Sequence, residues 1–126
     1  MPITFGQLTN LEELDLSFYD MGTRMNTISD LTPAFASLKK LRVLNLAGNS
    51  LSSLPEGFTS LTELEELNLN LNKFLGFPVQ VTQLTKLKAL DLGLNESASL
   101  PESIGNLVNL EYLNLGRKLH SAGVCV

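Results

Sequence analysis

Leucines recur along this chain in one pattern of spacings. The clearest copy is Leu41, Leu44 and Leu46, in which the last two leucines are two residues apart. Side chains two residues apart point to the same side of an extended segment, so the triplet predicts a short strand with one apolar face. The triplet occurs five times, at Leu11, Leu14 and Leu16; Leu41, Leu44 and Leu46; Leu64, Leu67 and Leu69; Leu87, Leu90 and Leu92; and Leu110, Leu113 and Leu115.

The spacing between the triplets predicts a solenoid, in which each repeat forms one coil stacked on the next. The last four triplets are 23 residues apart, and the first lies 30 residues upstream of the second. A constant period of this length is the signature of stacked coils. We therefore expect about five coils over residues 1–115, with seven extra residues in the first coil at about 20–26 and a C-terminal tail at 116–126. Short parallel strands are expected around residues 13–16, 43–46, 66–69, 89–92 and 112–115.

An asparagine follows three of the triplets at the same spacing. Asn49, Asn72 and Asn95 are 23 residues apart and lie where the chain leaves each predicted strand. An amide at such a turn can donate to backbone carbonyls and accept from backbone N–H groups of a neighbouring coil. Stacked copies would form a structural ladder that satisfies polar groups outside the sheet.

The rest of each repeat predicts a short helical return. Leu54 and Pro55 follow the turn, and proline suits the first position of a helical segment. Phe58 and Leu61 come next, three residues apart, and would lie on one face of that segment. Each coil therefore offers a strand, a turn and a helical return, all with apolar residues pointing inward.

The complete repeat resembles the leucine-rich repeat. Its leucine triplet, Asn49 and Leu54-Pro55 step match the family's pattern over residues 1–115. The 23-residue length with a Leu-Pro step is similar to the intracellular Ras-associated group, which includes Scribble-like scaffolds and the plant intracellular Ras-group proteins. The resemblance implies an α/β fold, a right-handed curved solenoid with short parallel strands on the concave side and short helical or 3-10 turns on the convex side. It also implies that partners dock on the concave sheet and that the repeats are not enzymes.

Three positions depart from the pattern. Tyr19 and Lys118 stand where the first and last coils should carry the ladder asparagine, and a terminal coil tolerates this because it has one neighbour only. Ser97 replaces the apolar residue that is Leu51 in an earlier coil. Because burying a leucine contributes about 1.5–3 kcal/mol, we expect the fourth coil to be looser.

Residues flanking the strand leucines are the candidates for binding a partner. The predicted partner-binding residues are Glu13, Asp15, Phe18, Arg42, Asn45, Glu65, Glu66, Asn68, Asn70, Leu71, Lys88, Asp91, Leu94, Tyr112, Asn114 and Arg117. With Glu12 and Glu111 this face has seven acids and three bases, so we expect a partner protein with a basic or mixed surface. Val43 and Ala89 flank strand leucines too and belong to the same face. For any single Asp or Asn between the strand leucines, the alternative to partner binding is that its side chain is simply exposed to water, as in any such repeat.

Charge and composition narrow the class of function. The formal net charge is −4, which argues against nucleic-acid binding because phosphate requires clustered lysine and arginine. No run of eighteen apolar residues exists, so we predict no membrane span. Met1 leads directly into repeat-like sequence, and the single cysteine, Cys125, cannot form an intrachain disulfide. A cytoplasmic location is therefore expected.

The sequence offers little for chemistry. His120 and Cys125 invite a nucleophile interpretation, but they lack an orienting third group. One histidine and one cysteine cannot fill a tetrahedral metal site, so we expect no metal and no cofactor. Asn95, Glu96 and Ser97 match a glycosylation sequon, yet Asn95 is expected to face inward.

These observations predict a non-catalytic protein–protein interaction module. One alternative is a self-associating or structural fragment of a longer repeat protein, because both ends of the solenoid expose a strand edge and leucines. Another is the sensor or effector segment of an immune or pathogen protein. The insertion at 20–26 is either a recognition loop or a tolerated lengthening. The terminal residues 124–126 either add to a domain that captures a C-terminal carboxylate or simply fray.

Overall fold

Five short strands form one parallel sheet. The computed structural model describes residues 7–18, 28–96 and 100–116. The strands are β1 (Glu13–Asp15), β2 (Val43–Asn45), β3 (Glu66–Asn68), β4 (Ala89–Asp91) and β5 (Tyr112–Asn114), in the order β1-β2-β3-β4-β5. The predicted solenoid is thus confirmed, and each strand ends one residue before its expected C-terminus.

The leucine triplets set the register of the sheet. Leu14 pairs with Leu44, and Leu44 pairs in turn with Leu67. The series continues through Leu90 to Leu113. Because the spacing is constant after β2, every position of one coil lies beside the equivalent position of the next.

Each strand returns to the next through a short 3-10 turn on the opposite side of the core. The four described turns are Pro33–Ser37, Glu56–Ser60, Val79–Gln83 and Glu102–Asn106. Leucine closes each of them; Leu61, for example, donates its backbone N–H to the Phe58 carbonyl at 3.1 Å.

The position of proline differs from the expectation. Pro55, Pro78 and Pro101 were predicted at the first helical position, but each precedes its turn with an extended backbone. Among the four described turns, only the first begins at a proline, Pro33. An extended proline keeps the required φ near −70° and needs no backbone N–H, so it suits the step that enters the turn equally well.

The core lies between the sheet and the 3-10 turns. Phe35, Phe58 and Phe74 are fully buried and come from three successive coils. Leu44, Leu67 and Leu90 are buried in the inner strands, whereas their equivalents in β1 and β5, Leu14 and Leu113, are only partly buried. Terminal coils have one neighbour each, so they bury less apolar surface.

A ladder of buried amides joins the coils where the strands end. The Asn72 Nδ2 group donates to the carbonyl of Leu69 in its own coil and to that of Leu46 in the preceding coil, at 3.1 and 3.0 Å. Its Oδ1 atom accepts from the Leu51 backbone N–H at 2.9 Å. Asn49 and Asn95 make the equivalent bonds to Leu16 and Leu69.

Several predicted features lie outside the described residues. They are the insertion at 20–26, Tyr19, Ser97, Arg117, Lys118, His120, Cys125 and the tail beyond residue 116. No helix in the described part of the chain is long and apolar enough to cross a membrane.

Replacing Asn72 with alanine should lower the free energy of unfolding by about 1–3 kcal/mol, because buried backbone groups of two coils lose their partner. Thermal or urea unfolding measures this loss. Asn106→Ala is the matched control, since Asn106 is exposed in the last 3-10 turn; it should change stability by less than about 0.5 kcal/mol. Equal effects of the two substitutions would contradict the role of the ladder.

Candidate functional site

The exposed face of the sheet carries side chains in three rows that run across the strands. The leading row is Glu12, Arg42, Glu65, Lys88 and Glu111. The central row is Glu13, Val43, Glu66, Ala89 and Tyr112. The outer row is Asp15, Asn45, Asn68, Asp91 and Asn114. Eleven of the sixteen predicted partner-binding residues therefore share one surface, which we call the sheet face.

The side chains of the outer row also form hydrogen bonds to the backbone of the turn that follows each strand. In each coil the side-chain Oδ1 atom accepts the backbone N–H two residues later; for Asn68 the partner is Asn70, at 2.9 Å. The same bond occurs at Asp15, Asn45, Asp91 and Asn114. The sequence predicted that these residues either bind a partner or are exposed to water, and it did not predict this structural role. The signal was present in the sequence, because Asp and Asn commonly accept the N–H two residues on at turns.

Asp91 is the most connected member of the outer row. Its Oδ1 atom accepts from the Gly93 backbone N–H at 2.9 Å, and from the side-chain Nδ2 groups of Asn70 and Asn114 at 3.0 and 3.1 Å. Gly93 belongs to the same coil as Asp91, Asn70 to the preceding coil and Asn114 to the following coil. Asp91 therefore links three consecutive coils on the outside of the sheet, as the buried ladder does beneath it.

Glycine at position 93 makes room for these amides. A Cβ atom there would lie 2.7 Å from Asn114 Nδ2 and 2.8 Å from Asn70 Nδ2. Both distances are shorter than real Cβ contacts, so a larger residue would displace the two amides from Asp91. The absent side chain at Gly93 is thus a condition for the Asp91 network.

The leading row alternates in charge. Arg42 forms ion pairs with Glu12 and Glu65, both at 3.3 Å, and Lys88 lies 3.7 Å from the other side of Glu65. Glu65 first, then Glu12, raises the pKa of Arg42 above its ordinary value. Because these side chains are largely open to solvent, the pairs contribute little to stability. Their main effect is to hold both described bases of the sheet face against the leading-row acids.

The central and outer rows keep uncompensated negative charge. Among the described residues, no ion pair includes Glu13, Asp15, Glu66 or Asp91. A shallow depression of about 210 Å³ lies in this part of the face. It is lined by Val43, Leu44, Asn45, Glu66, Leu67, Asn68, Ala89, Asp91 and Tyr112.

The remaining candidates that the structure describes lie beyond the ends of the strands. Leu71 and Leu94 have φ of 56° and 57°, in the left-handed region, and Leu94 is exposed. At the equivalent Gly48 a Cβ atom would overlap the backbone carbonyl of Phe18. Phe18, Leu71 and Leu94 therefore border the sheet face rather than form part of its strands.

Comparison with known proteins agrees with this architecture. A family model described as "Leucine-rich repeat region" matches residues 32–124. The chain belongs to the leucine-rich-repeat family. A search of the curated proteins gives no match. The resemblance to the family is therefore confirmed, while the Ras-associated subgroup stays a prediction.

Two solved leucine-rich-repeat structures are similar to this chain. The LRR protein LIC12759 of Leptospira interrogans is 33% identical with a TM-score of 0.77, and the match covers 93% of this chain and 34% of that one. The plant peptide hormone receptor RGFR1 in complex with RGF2 is 28% identical with a TM-score of 0.75, covering 91% and 18%. This leucine-rich-repeat chain thus spans about a third or less of the proteins it resembles.

Two substitutions of Asp91 should distinguish the contribution of its hydrogen bonds to stability from that of its charge. Asp91→Ala removes the acceptor of three N–H groups and should lower the free energy of unfolding by about 1 kcal/mol, a modest loss because water reaches this half-exposed site. Asp91→Asn keeps a side-chain oxygen at the same place and should retain most of the stability. Chemical denaturation of both variants measures the difference, and equal losses would contradict the network.

The pKa of Asp15 should respond to Ser17. The Ser17 hydroxyl at 2.6 Å, followed by its backbone N–H at 2.9 Å, holds the pKa of the Asp15 carboxyl below its ordinary value. Ser17→Ala should therefore raise that pKa towards the ordinary value, as an NMR titration of the carboxyl would show. Ser52→Ala, at an exposed position in another coil, should leave it unchanged.

The sign of the pH dependence follows from this shift. A carboxyl with a depressed pKa adds stability above its unfolded pKa and loses it as the pH falls through its folded pKa. Ser17→Ala should make that acid-induced loss smaller. An Asp15 pKa that is identical in wild type and Ser17→Ala would show that the hydroxyl contact is unimportant in solution.

Proposed function

We propose that this leucine-rich-repeat chain is a non-catalytic module that binds another protein on its sheet face. The single observation that carries the proposal is the depression of about 210 Å³ at the centre of that face. The residues that line it include the apolar Val43 and Ala89, the carboxylates of Glu66 and Asp91, and the ring of Tyr112. Apolar floors with polar borders are typical of protein-binding surfaces.

The charge of the sheet face supports a basic or mixed partner. Its described rows have seven acids and two bases, and both bases are engaged within the leading row. Most of the excess negative charge therefore lies in the central and outer rows, where Glu66 and Asp91 line the depression. Such a surface should speed the association of a positively charged partner, and salt should weaken this effect.

The similar structures support binding in a coarser way. The structure of the plant receptor RGFR1 is a complex with RGF2. Leucine-rich repeats are generally protein–protein interaction domains. The shared fold therefore supports a protein-binding function for this chain. The proposal includes membership of the intracellular Ras-associated group, because the repeats have its 23-residue period and its Leu-Pro step. A cytoplasmic location is proposed together with that membership.

The alternation of the leading row disfavours end-to-end self-association. The row begins with Glu12 and ends with Glu111. A second copy that continued the sheet in register would place these two glutamates side by side. Like charges directly opposite each other are destabilising, so a partner of different chemistry fits either edge better.

Reversing one charge at the depression should weaken binding on the sheet face. Peptides selected from a random display library against the wild-type chain provide defined ligands. Glu66→Lys should weaken most of them about tenfold or more, because the charge of an unpaired carboxylate is inverted at the centre of the face. Affinity measured by fluorescence anisotropy at low and high salt checks the size and the electrostatic origin of the effect.

Glu102→Lys is the matched control. Glu102 is exposed in a 3-10 turn on the opposite side of the core, and the substitution changes the net charge by the same amount. It should leave the affinities unchanged, while both variants keep the circular dichroism spectrum of the wild type. A panel of peptides that responds to Glu102→Lys but not to Glu66→Lys would place the binding surface on the other side of the solenoid.

A further inference from the structure

We propose that the depression on the sheet face is a subsite for one arginine side chain of the bound partner. The proposal rests on the function proposed above and specifies which chemical group the face recognises. Three neighbouring features carry it: a gap in the central row at Ala89, two carboxylates without a basic partner, and an exposed aromatic ring.

The gap follows from the register of three strands. Glu66 pairs with Ala89, and Ala89 pairs with Tyr112, so alanine stands between two large side chains. Neighbouring strands are about 4.8 Å apart, which places the backbones of Glu66 and Tyr112 roughly 10 Å from each other. The alanine side chain ends at Cβ, so the space above it is open. That space is wide enough to accept a single extended side chain.

The charge around the gap is negative and uncompensated. Glu66 borders it on one side, and Asp91 follows two residues after Ala89 on the same face of β4. Neither carboxylate takes part in an ion pair of the described residues, because Arg42 and Lys88 are both engaged with Glu65. Within the described residues, the hydrogen bonds of the Asp91 side chain all end on Oδ1. Its Oδ2 atom therefore remains for a cation.

The ring of Tyr112 favours a guanidinium group in particular. Tyr112 is 52% exposed and lies on the other side of Ala89 from Glu66. A planar guanidinium can stack on an aromatic ring while its N–H groups face carboxylates at its edge. A neutral or acidic side chain would leave Glu66 and Asp91 without a counter-charge. Charge complementarity thus selects a basic side chain, and stacking on the Tyr112 ring selects arginine over lysine.

The direct test is a titration of the isotope-labelled chain with Nα-acetyl-arginine amide, followed by NMR. We expect the largest shifts at the backbone amides of Glu66, Ala89, Asp91 and Tyr112. The citrulline analogue has nearly the same shape without the charge and should produce much smaller shifts. Glu66→Gln and Asp91→Asn should each weaken arginine binding about threefold. Asp91→Asn keeps the oxygen that accepts the three N–H groups, so its fold should be unaffected.

Two further variants test the gap and the ring. Ala89→Leu fills the space and should remove binding, whereas Tyr112→Leu should weaken it by removing the stacking surface. Glu102→Gln, on the opposite side of the core, should have no effect. Equal shifts with arginine and citrulline, no shift at the highest concentration, or shifts centred on other acidic residues would each overturn the proposal.

The two proposals can fail separately. If display-selected peptides bind the sheet face but retain their affinity for the Glu66→Gln and Asp91→Asn variants, the arginine subsite is wrong and the binding module stands. If arginine amide binds at the depression while the selected peptides ignore Glu66→Lys, the subsite is real but the proposed protein-binding function of this face is wrong.

Discussion

The ladder of buried asparagines is the interaction on which the rest of the structure depends. A strand of three residues leaves most of the backbone of its coil outside the sheet, and these polar groups are buried against the neighbouring coil. The Nδ2 group of Asn72 donates to backbone carbonyls of two coils, and its Oδ1 atom accepts a backbone N–H group. Without such a residue, stacking the leucine layers would require burying unpaired backbone groups, at a cost of about 1–3 kcal/mol for each.

Fixed stacking in turn determines the sheet face. Because every coil is in the same register, a residue type that recurs in the sequence becomes a row on the surface. The outer row shows that such a row can have a structural role, since Asn68 and its equivalents accept a backbone N–H in their own turn. Asp91 adds bonds to Asn70 and Asn114 and so joins three coils from outside. This external network complements the buried ladder.

The chemistry left for a partner is what remains after these internal contacts. Counting charges makes the sheet face look uniformly acidic, but the ion pairs of Arg42 and Lys88 with Glu65 neutralise much of the leading row. Four carboxylates of the central and outer rows take part in no ion pair of the described residues, and two of them, Glu66 and Asp91, lie around Ala89. The proposed arginine subsite is placed there because these two acids lie beside a small residue and an exposed aromatic ring.

The sequence by itself determined the architecture, because the leucine period fixes which residues stack. The strand positions, their parallel order and the place of Asn49, Asn72 and Asn95 all follow from spacing, since a coil has one way to bury its leucines. Spacing could not show that Pro55, Pro78 and Pro101 precede their turns, nor which side chains pair across coils. The pairing depends on how closely side chains from different coils approach one another, as in the 3.3 Å contact between Arg42 and Glu65. Only the tertiary structure decided that Arg42 and Lys88 turn towards Glu65 and leave Glu66 and Asp91 without an ion pair among the described residues.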